Sequence, residues 1–364
     1  MVESVDMKIS TDRKMLALTG IVTGVVAFIL VMLGNPGNMG FCIACFLRDA
    51  AGSLGLHSAS NVQYLRPEIL GLGLGAFIIS LIRGEFRPRS GSSPLLRFLI
   101  GVCVTIGALV FLGCPLRMVL RLAAGDFNAL FGLVGFVIGI GLGCIALNMG
   151  FSLGRAKESS RLEGSGISIL YVVLFIILVA APGLLRFSTE GPGSMRAPIV
   201  ASLLAGLAVG ALAQRSRLCF AGGMRDIFLM RDTTLVTGFL AVFLSALVVN
   251  IVGGKFSPGF EGQPVAHTAQ LWNVLGMVVV GFGSVLLGGC PLRQIIMAGE
   301  GNSDSAVTVL GLMVGGAMAH NFGLASSTSG PTAGGKVATI LILVFLALVS
   351  MTVIYANRRK EADA

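Results

Sequence analysis

Apolar residues in this chain come in long, nearly unbroken blocks, not in the alternating or every-third-residue patterns of soluble strands and helices. A helix needs about 20 residues to cross the hydrocarbon core of a bilayer. Ten blocks approach or reach that length: residues 15–33, 67–82, 95–112, 128–147, 167–185, 198–213, 233–252, 271–287, 305–320 and 337–356. They predict an all-α, polytopic membrane protein with about ten transmembrane helices, folded as a single membrane domain over residues 1–364. The first block follows a stretch of mixed acid and base, and no small-residue cleavage site comes after it. It is expected to be a retained helix, not a signal peptide.

Composition narrows the alternatives. The chain is 55% hydrophobic and only 12% charged, whereas a soluble domain is about 25% charged. Its 51 glycines follow no Gly-X-Y period, so collagen does not fit, and seven cysteines are too few for a secreted disulfide scaffold.

The net charge of +9 is unevenly spread along the chain. With both termini inside, thirteen basic residues (Lys8, Arg13, Lys14, Arg83, Arg87, Arg89, Arg97, Arg155, Lys157, Arg161, Arg358, Arg359, Lys360) fall in inner segments and five (Arg66, Arg186, Arg196, Lys255, Lys336) in outer ones. The positive-inside rule therefore favours cytoplasmic termini, and the asymmetry makes a nucleic-acid partner unnecessary. The remaining eight of the 26 basic residues are all arginines: Arg48, Arg117, Arg121, Arg215, Arg217, Arg225, Arg231 and Arg293. In lipid each would cost roughly 2.5 to 3.5 kcal/mol at the midplane. They are expected to line a polar cavity, pair with carboxylates or lie near an interface.

These arginines sit in motifs that occur twice. Cys42-Ile43-Ala44 leading to Arg48-Asp49 recurs as Cys219-Phe220-Ala221 leading to Arg225-Asp226, and Gly113-Cys114-Pro115-Leu116-Arg117 recurs as Gly289-Cys290-Pro291-Leu292-Arg293. The offsets are 177 and 176 residues, and Gly135, Gly139 and Gly143 align with Gly311, Gly315 and Ala319. Five crossings separate equivalent positions, so the second copy should be upside down. Inverted-topology repeats of this kind build transporter sites near the midplane, where the copies meet. The expected organisation is a first repeat at 15–151, a connecting loop and helix at 152–190, a second repeat at 191–325 and a final helix at 337–356. The glycine ladder reads as close helix packing, and residues 154–166 as a solvated cytoplasmic link.

Glycine at the end of one helix and proline at the start of the next predict a broken helix at each Gly-Cys-Pro element. Cysteine then caps the second half-helix, where free N-H groups and the dipole favour an anion. Arg117 and Arg293 fall in the first turn, where a cation is disfavoured. They call either for a bound substrate anion or for structural partners, with Asp126 available to one and Glu300 and Asp304 to the other. If the chain is helical from Cys42, Asp49 shares its face while Arg48 points elsewhere, and the same holds for Cys219, Asp226 and Arg225. The candidate substrate-binding residues are thus Cys42, Cys114, Cys219, Cys290, Arg117, Arg293, Arg48 and Arg225. Cys42 and Cys45 form a Cys-x-x-Cys pair, but Gly222 replaces the second cysteine in the other copy, so neither a metal nor a cofactor is expected. Cys103 and Cys144 read as packing residues, and His57, His267 and His320 as structural.

Paired Gly-Cys elements and Leu-Cys-Phe-Ala followed by Arg-Asp, over roughly residues 15–325, resemble the YeeE/YedE family of bacterial inner-membrane transporters for sulfur compounds. The resemblance implies a small anionic substrate such as thiosulfate, passed along pore cysteines corresponding to Cys42, Cys114, Cys219 and Cys290. It also implies a cytoplasmic sulfur or selenium carrier protein as partner. The Cys-Pro-Leu-Arg wording is similar to a branch associated with selenium, for which selenite is the corresponding anion. Sulfur-branch members often carry an arginine shortly before the first Gly-Cys, where this chain has Leu109. The competing class is a membrane thiol and quinone oxidoreductase, which should bring two cysteines together and needs no symmetric Cys-Arg copies. A purely structural subunit would leave the eight segregated arginines without a purpose.

Overall fold

The computed structural model describes residues 2–362, with side chains for 12–359. Lys8 and Lys360, counted above among the inner cations, have side chains outside the described residues. The first seven helices are α1 (Val2–Met32), α2 (Ile43–Ser53), α3 (Pro67–Ile82), α4 (Pro94–Phe111), α5 (Pro115–Ala123), α6 (Asn128–Asn148) and α7 (Arg161–Ala180). The next seven are α8 (Ile199–Ser216), α9 (Phe220–Met230), α10 (Val236–Val252), α11 (Gln270–Leu286), α12 (Pro291–Gly299), α13 (Ser303–Asn321) and α14 (Ala333–Ala362). Two-residue strands β1 (Arg89–Ser90) and β2 (Lys157–Glu158) pair antiparallel between loops. The protein is all-α and polytopic.

Ten of these helices coincide with the ten apolar blocks. The other four, α2, α5, α9 and α12, are 9 to 11 residues long and each begins just after one of the duplicated cysteines. By length and composition alone, seven stretches among the described residues are apolar enough to cross a membrane, and three of them run through a helix break. The shorter α3 and α10 are apolar too. α13 belongs to neither group, but it is shielded: Leu312 and Ala319 are fully buried. The order long, short, long, long, short, long, long runs through α1–α7 and again through α8–α14. Hence α7 and α14, outside the repeats by motif matching, hold equivalent places in the two runs.

The largest interfaces all join one run to the other: α6 with α11, α13 with α4, α3 with α8 and α1 with α10. Exchanging each helix for its equivalent turns the first pair into the second and the third into the fourth. Glycines make the approach possible. A Cβ on Gly139 would lie 2.2 Å from the Val278 carbonyl oxygen, and one on Gly311 2.3 Å from that of Phe98. The opposite face of α6 exposes Leu130, Val134, Ile138, Leu142 and Ile145 at helical spacing, an apolar stripe suited to lipid and not to water.

Hydrogen bonds gather the connecting segments at two ends. At one end Arg87 and Arg89 N-H donate to the Glu300 and Gly301 carbonyls, Arg215 pairs with Glu85, Arg13 reaches Thr233, and Arg358 reaches the Met149 carbonyl. Arg13 of α1 therefore lies beside the connection between α9 and α10, and the end of α14 beside residues 149–152. At the other end Arg66 reaches the Pro192 and Met195 carbonyls, and Arg186 N-H donates to the Ser53 carbonyl.

Candidate functional site

Each duplicated cysteine is the N-cap of a short helix in extended backbone conformation. The Cys42 sulfur accepts from Cys45 N-H at 3.4 Å, and the Cys219 sulfur from Gly222 N-H at 3.2 Å. The short helices meet tip to tip in pairs. Ile43 N-H at the start of α2 donates to Cys114 Sγ at the start of α5, 3.3 Å away. In the other half Cys219 Sγ lies 3.9 Å from Cys290 Sγ, so α9 and α12 meet the same way. Two positive dipole ends thus converge on two thiols, twice over, and each convergence favours an anion. All four cysteines are buried, at 0%, 1%, 6% and 1% exposure in chain order, so both sites are closed.

The helix break before α5 differs from its sequence-based expectation. Leu112, not Gly113, takes the left-handed conformation, at φ 65°. In the second half Gly288 does so, at φ 79°. The broken α4 leaves carbonyls without intrahelical partners, and α5 supplies them with donors. Arg117 Nη1 bonds the Leu112 carbonyl and Arg121 Nη1 that of Phe111 at 2.9 Å. Asp126, the carboxylate offered to Arg117, is taken by Arg121 at 2.6 Å. Arg117 is fully buried, and its other contacts are the Asn38, Pro264 and Val265 carbonyls and Cys45 Sγ at 3.8 Å. Carbonyl oxygens at a helix end, not an acid, offset its place in the first turn of α5. A cavity of about 90 Å³ shares Asn38 and Pro264 with this cage and is also lined by Lys255 and Leu120.

In the second half Gln294 Nε2 donates to the Leu287 and Gly289 carbonyls at 3.1 and 3.2 Å, replacing a guanidinium in that role. Arg293 reaches Glu300 with two bonds of 2.9 and 3.3 Å, so the structural partner available to it is the one it uses. Asp304 instead accepts from the Gly91 and Ser92 N-H groups and the Ser92 hydroxyl, with the Arg97 guanidinium at 4.0 Å as a looser ion-pair neighbour.

Arg48 does not point away from Asp49. Its Nε and Nη2 both bond the Asp49 carboxylate, at 3.0 and 2.7 Å, because the long side chain folds back on its own neighbour. Arg66 holds the other carboxylate oxygen at 2.9 Å. Arg225 folds back on Asp226 in the same manner, at 2.9 and 2.8 Å. Arg48 and Arg225 are therefore committed to ion pairs, while the four cysteines come together in two pairs with Arg117 beside the first. Cys45, discounted because Gly222 replaces it in the repeat, stands between Cys42 and Arg117. His57 approaches the Arg48 carbonyl at 3.1 Å and stacks on His320 at 4.9 Å, while His267 approaches the Val110 carbonyl at 2.8 Å. Burial holds the loop histidines His57 and His267 below the ordinary imidazole range, as suits neutral rings that brace loops.

Residues 215–363 match a family described as sulphur transport. The thiosulfate transporter TsuA of Escherichia coli is 29% identical over 117 residues, 32% of this chain and 32% of its own length. TsuA of Spirochaeta thermophila is 34% identical over 99 residues, 27% of this chain and 29% of its own length. The second half of the chain is thus similar to the sulphur-transport family. The matched segment holds the Cys219–Cys290 site together with Arg293 and Glu300, and the Cys42–Cys114 site lies before it. The fluoride-specific ion channel FluC 2 of Parasynechococcus marenigrum is 38% identical over 82 residues, 22% of this chain and 57% of its own length. All three names denote transport or conduction. The chain matches about a third of the length of the two TsuA relatives.

Proposed function

We propose that this chain passes a small sulfur- or selenium-containing anion, of the thiosulfate or selenite class, across the bacterial inner membrane through two cysteine stations in series. The observation that carries this reading is the twofold convergence of short-helix N-termini on a pair of thiols, Cys42 with Cys114 and Cys219 with Cys290. Dipole ends attract the anion, and thiols offer only weak hydrogen bonds, so each station holds the ion without trapping it, as conduction requires. The repeats are inverted, and their sequence boundaries extend in this reading to take in α7 and α14. The end that carries residues 84–94, 153–165 and both termini faces the cytoplasm, in keeping with the thirteen-to-five split of basic residues. A sulfur or selenium carrier protein receives the ion there.

Because a substrate must pass both stations, Cys114→Ala and Cys290→Ala should each abolish uptake of labelled thiosulfate or selenite by cells lacking other routes. Normal membrane levels with near-normal uptake in both variants would refute the relay. A second reading, a membrane thiol oxidoreductase, gains from the 3.9 Å between Cys219 and Cys290 sulfurs. It requires that those thiols become a disulfide during turnover, whereas transport leaves all of them free. Trapping thiols with a maleimide after denaturation during active uptake separates the two.

A further inference from the structure

The 176-residue register that aligns Cys114 with Cys290 also sets Ala124 against Glu300, Arg121 against Met297 and Asp126 against Asn302. The two motifs are alike in shape and unlike in charge. Around α5 there are two guanidiniums and one carboxylate, and Arg121 holds the carboxylate at 2.6 Å. Arg117 has no ion pair among the described residues; backbone carbonyls and the Cys45 thiol take its donors. Around α12 there is one guanidinium and one carboxylate, and Glu300 neutralises Arg293. The exposures differ in the same sense. Arg117 is fully buried and caged, while the side chains of Arg293 and Glu300 are 13% and 16% exposed, so that pair has room to open.

We propose that Glu300 is a release residue: a tethered carboxylate that competes with the transported anion for Arg293, so that the Cys219–Cys290 station binds weakly and the Cys42–Cys114 station binds tightly. The inference rests on the transport reading above and gives that pathway a polarity. A carboxylate and a thiosulfate ion present similar oxygens to a guanidinium fork. The carboxylate is covalently held seven residues away, on the residue that caps the C-terminus of the same short helix, at a high effective concentration. An anion arriving from the first station displaces it briefly, and its return leaves the ion only the two dipole ends and two thiols. The first half has Ala124 at that position and so has no such competitor.

The test is thiosulfate binding to the purified full chain together with thiosulfate uptake kinetics in cells, with membrane level measured for every variant. Glu300→Gln should bind thiosulfate about tenfold more tightly, equivalent to about 1.4 kcal/mol, and should lower KM and Vmax together because release slows. Glu300→Asp should return both towards wild type. Ala124→Glu, which gives Arg117 the competitor it lacks, should raise KM about tenfold with Vmax little changed. Glu85→Gln, in the Arg215 pair, should move neither. Unchanged or weaker binding in a stable Glu300→Gln protein would make Glu300 a structural brace and overturn the proposal. Should that variant fail to accumulate, an unchanged KM in Ala124→Glu overturns it instead. Wild-type protein that neither binds nor takes up thiosulfate or selenite would overturn the transport reading itself.

Discussion

Arg121 and Asp126 offer a test of what the buried charges do, because the second half of the chain already contains the neutral version, Met297 and Asn302, at the same positions. Both side chains are fully buried and 2.6 Å apart. Arg121→Met alone strands the Asp126 carboxylate, which would keep only the Asn128 N-H and Nδ2 donors at 3.0 and 2.8 Å. Asp126→Asn alone strands a guanidinium whose remaining contacts are the Phe111 carbonyl at 2.9 Å and the Phe111 ring at 4.3 Å. Each single change should therefore cost about 3 to 5 kcal/mol, the penalty of an unpaired buried charge. The double change removes both charges. It still gives up the Phe111 carbonyl bond, about 1 to 3 kcal/mol for a buried acceptor left unsatisfied. The double variant should thus be more stable than either single one, with a coupling energy of about 3 kcal/mol or more in a double-mutant cycle. Reversible unfolding in mild detergent measures it. Since the pair carries no net charge, uptake per folded molecule should stay near wild type. Additive destabilisation, or a stable double variant that no longer transports, would refute the view that this pair is a structural brace beside the station.

Three further outcomes are expected. Gly139→Leu should block assembly, since its Cβ would sit 2.2 Å from a backbone oxygen of α11, whereas Gly141→Ala, with nothing within 4 Å, should be silent; accumulation of monodisperse protein in detergent reads both. Reporter fusions after Gly164 and at either terminus should remain on the cytoplasmic side, and export of the Gly164 fusion would contradict the inverted arrangement. Cys45→Ala should leave more uptake than Cys42→Ala, because Cys42 caps α2 at the tip that meets Cys114 in the same station while Cys45 has no counterpart in the second repeat; the reverse order in a matched uptake assay would favour thiol redox chemistry.

The apolar blocks made all ten long helices legible, because burial in lipid and in the bundle interior both demand continuous hydrophobicity. The short helices were legible where Gly-Cys-Pro marks a break, since glycine and proline act through the backbone and do not depend on distant partners. Tertiary choices were hidden. Cys42 and Cys114 lie 72 residues apart in sequence, and nothing local to either records that α2 and α5 meet at their tips. Asp126 follows two arginines of α5 in sequence, and spacing alone did not decide between them; the choice of Arg121 depended on which guanidinium the broken end of α4 would occupy. The left-handed turn fell on Leu112 although glycine was adjacent, because the carbonyl cap by Arg117 fixes the backbone there. Glu300 was visible as a partner for Arg293. Its absence from the other repeat was visible too, and acquired a meaning only once Arg117 was seen without an acid.

The exchange of interfaces between the two runs has a consequence for how the chain is made. No half can complete its own packing: α4 (Pro94–Phe111) finds its principal glycine-faced neighbour only in α13 (Ser303–Asn321). At ordinary synthesis rates of about 5 to 20 residues per second, α4 waits on the order of 10 to 40 s for that neighbour to emerge. During that interval the backbone-deep grooves on α3, α4 and α6, and the buried arginines beside them, face whatever the insertion machinery provides. A ribosome that stalls midway leaves a half-molecule with polar groups in lipid and no partner, a natural target for membrane quality control.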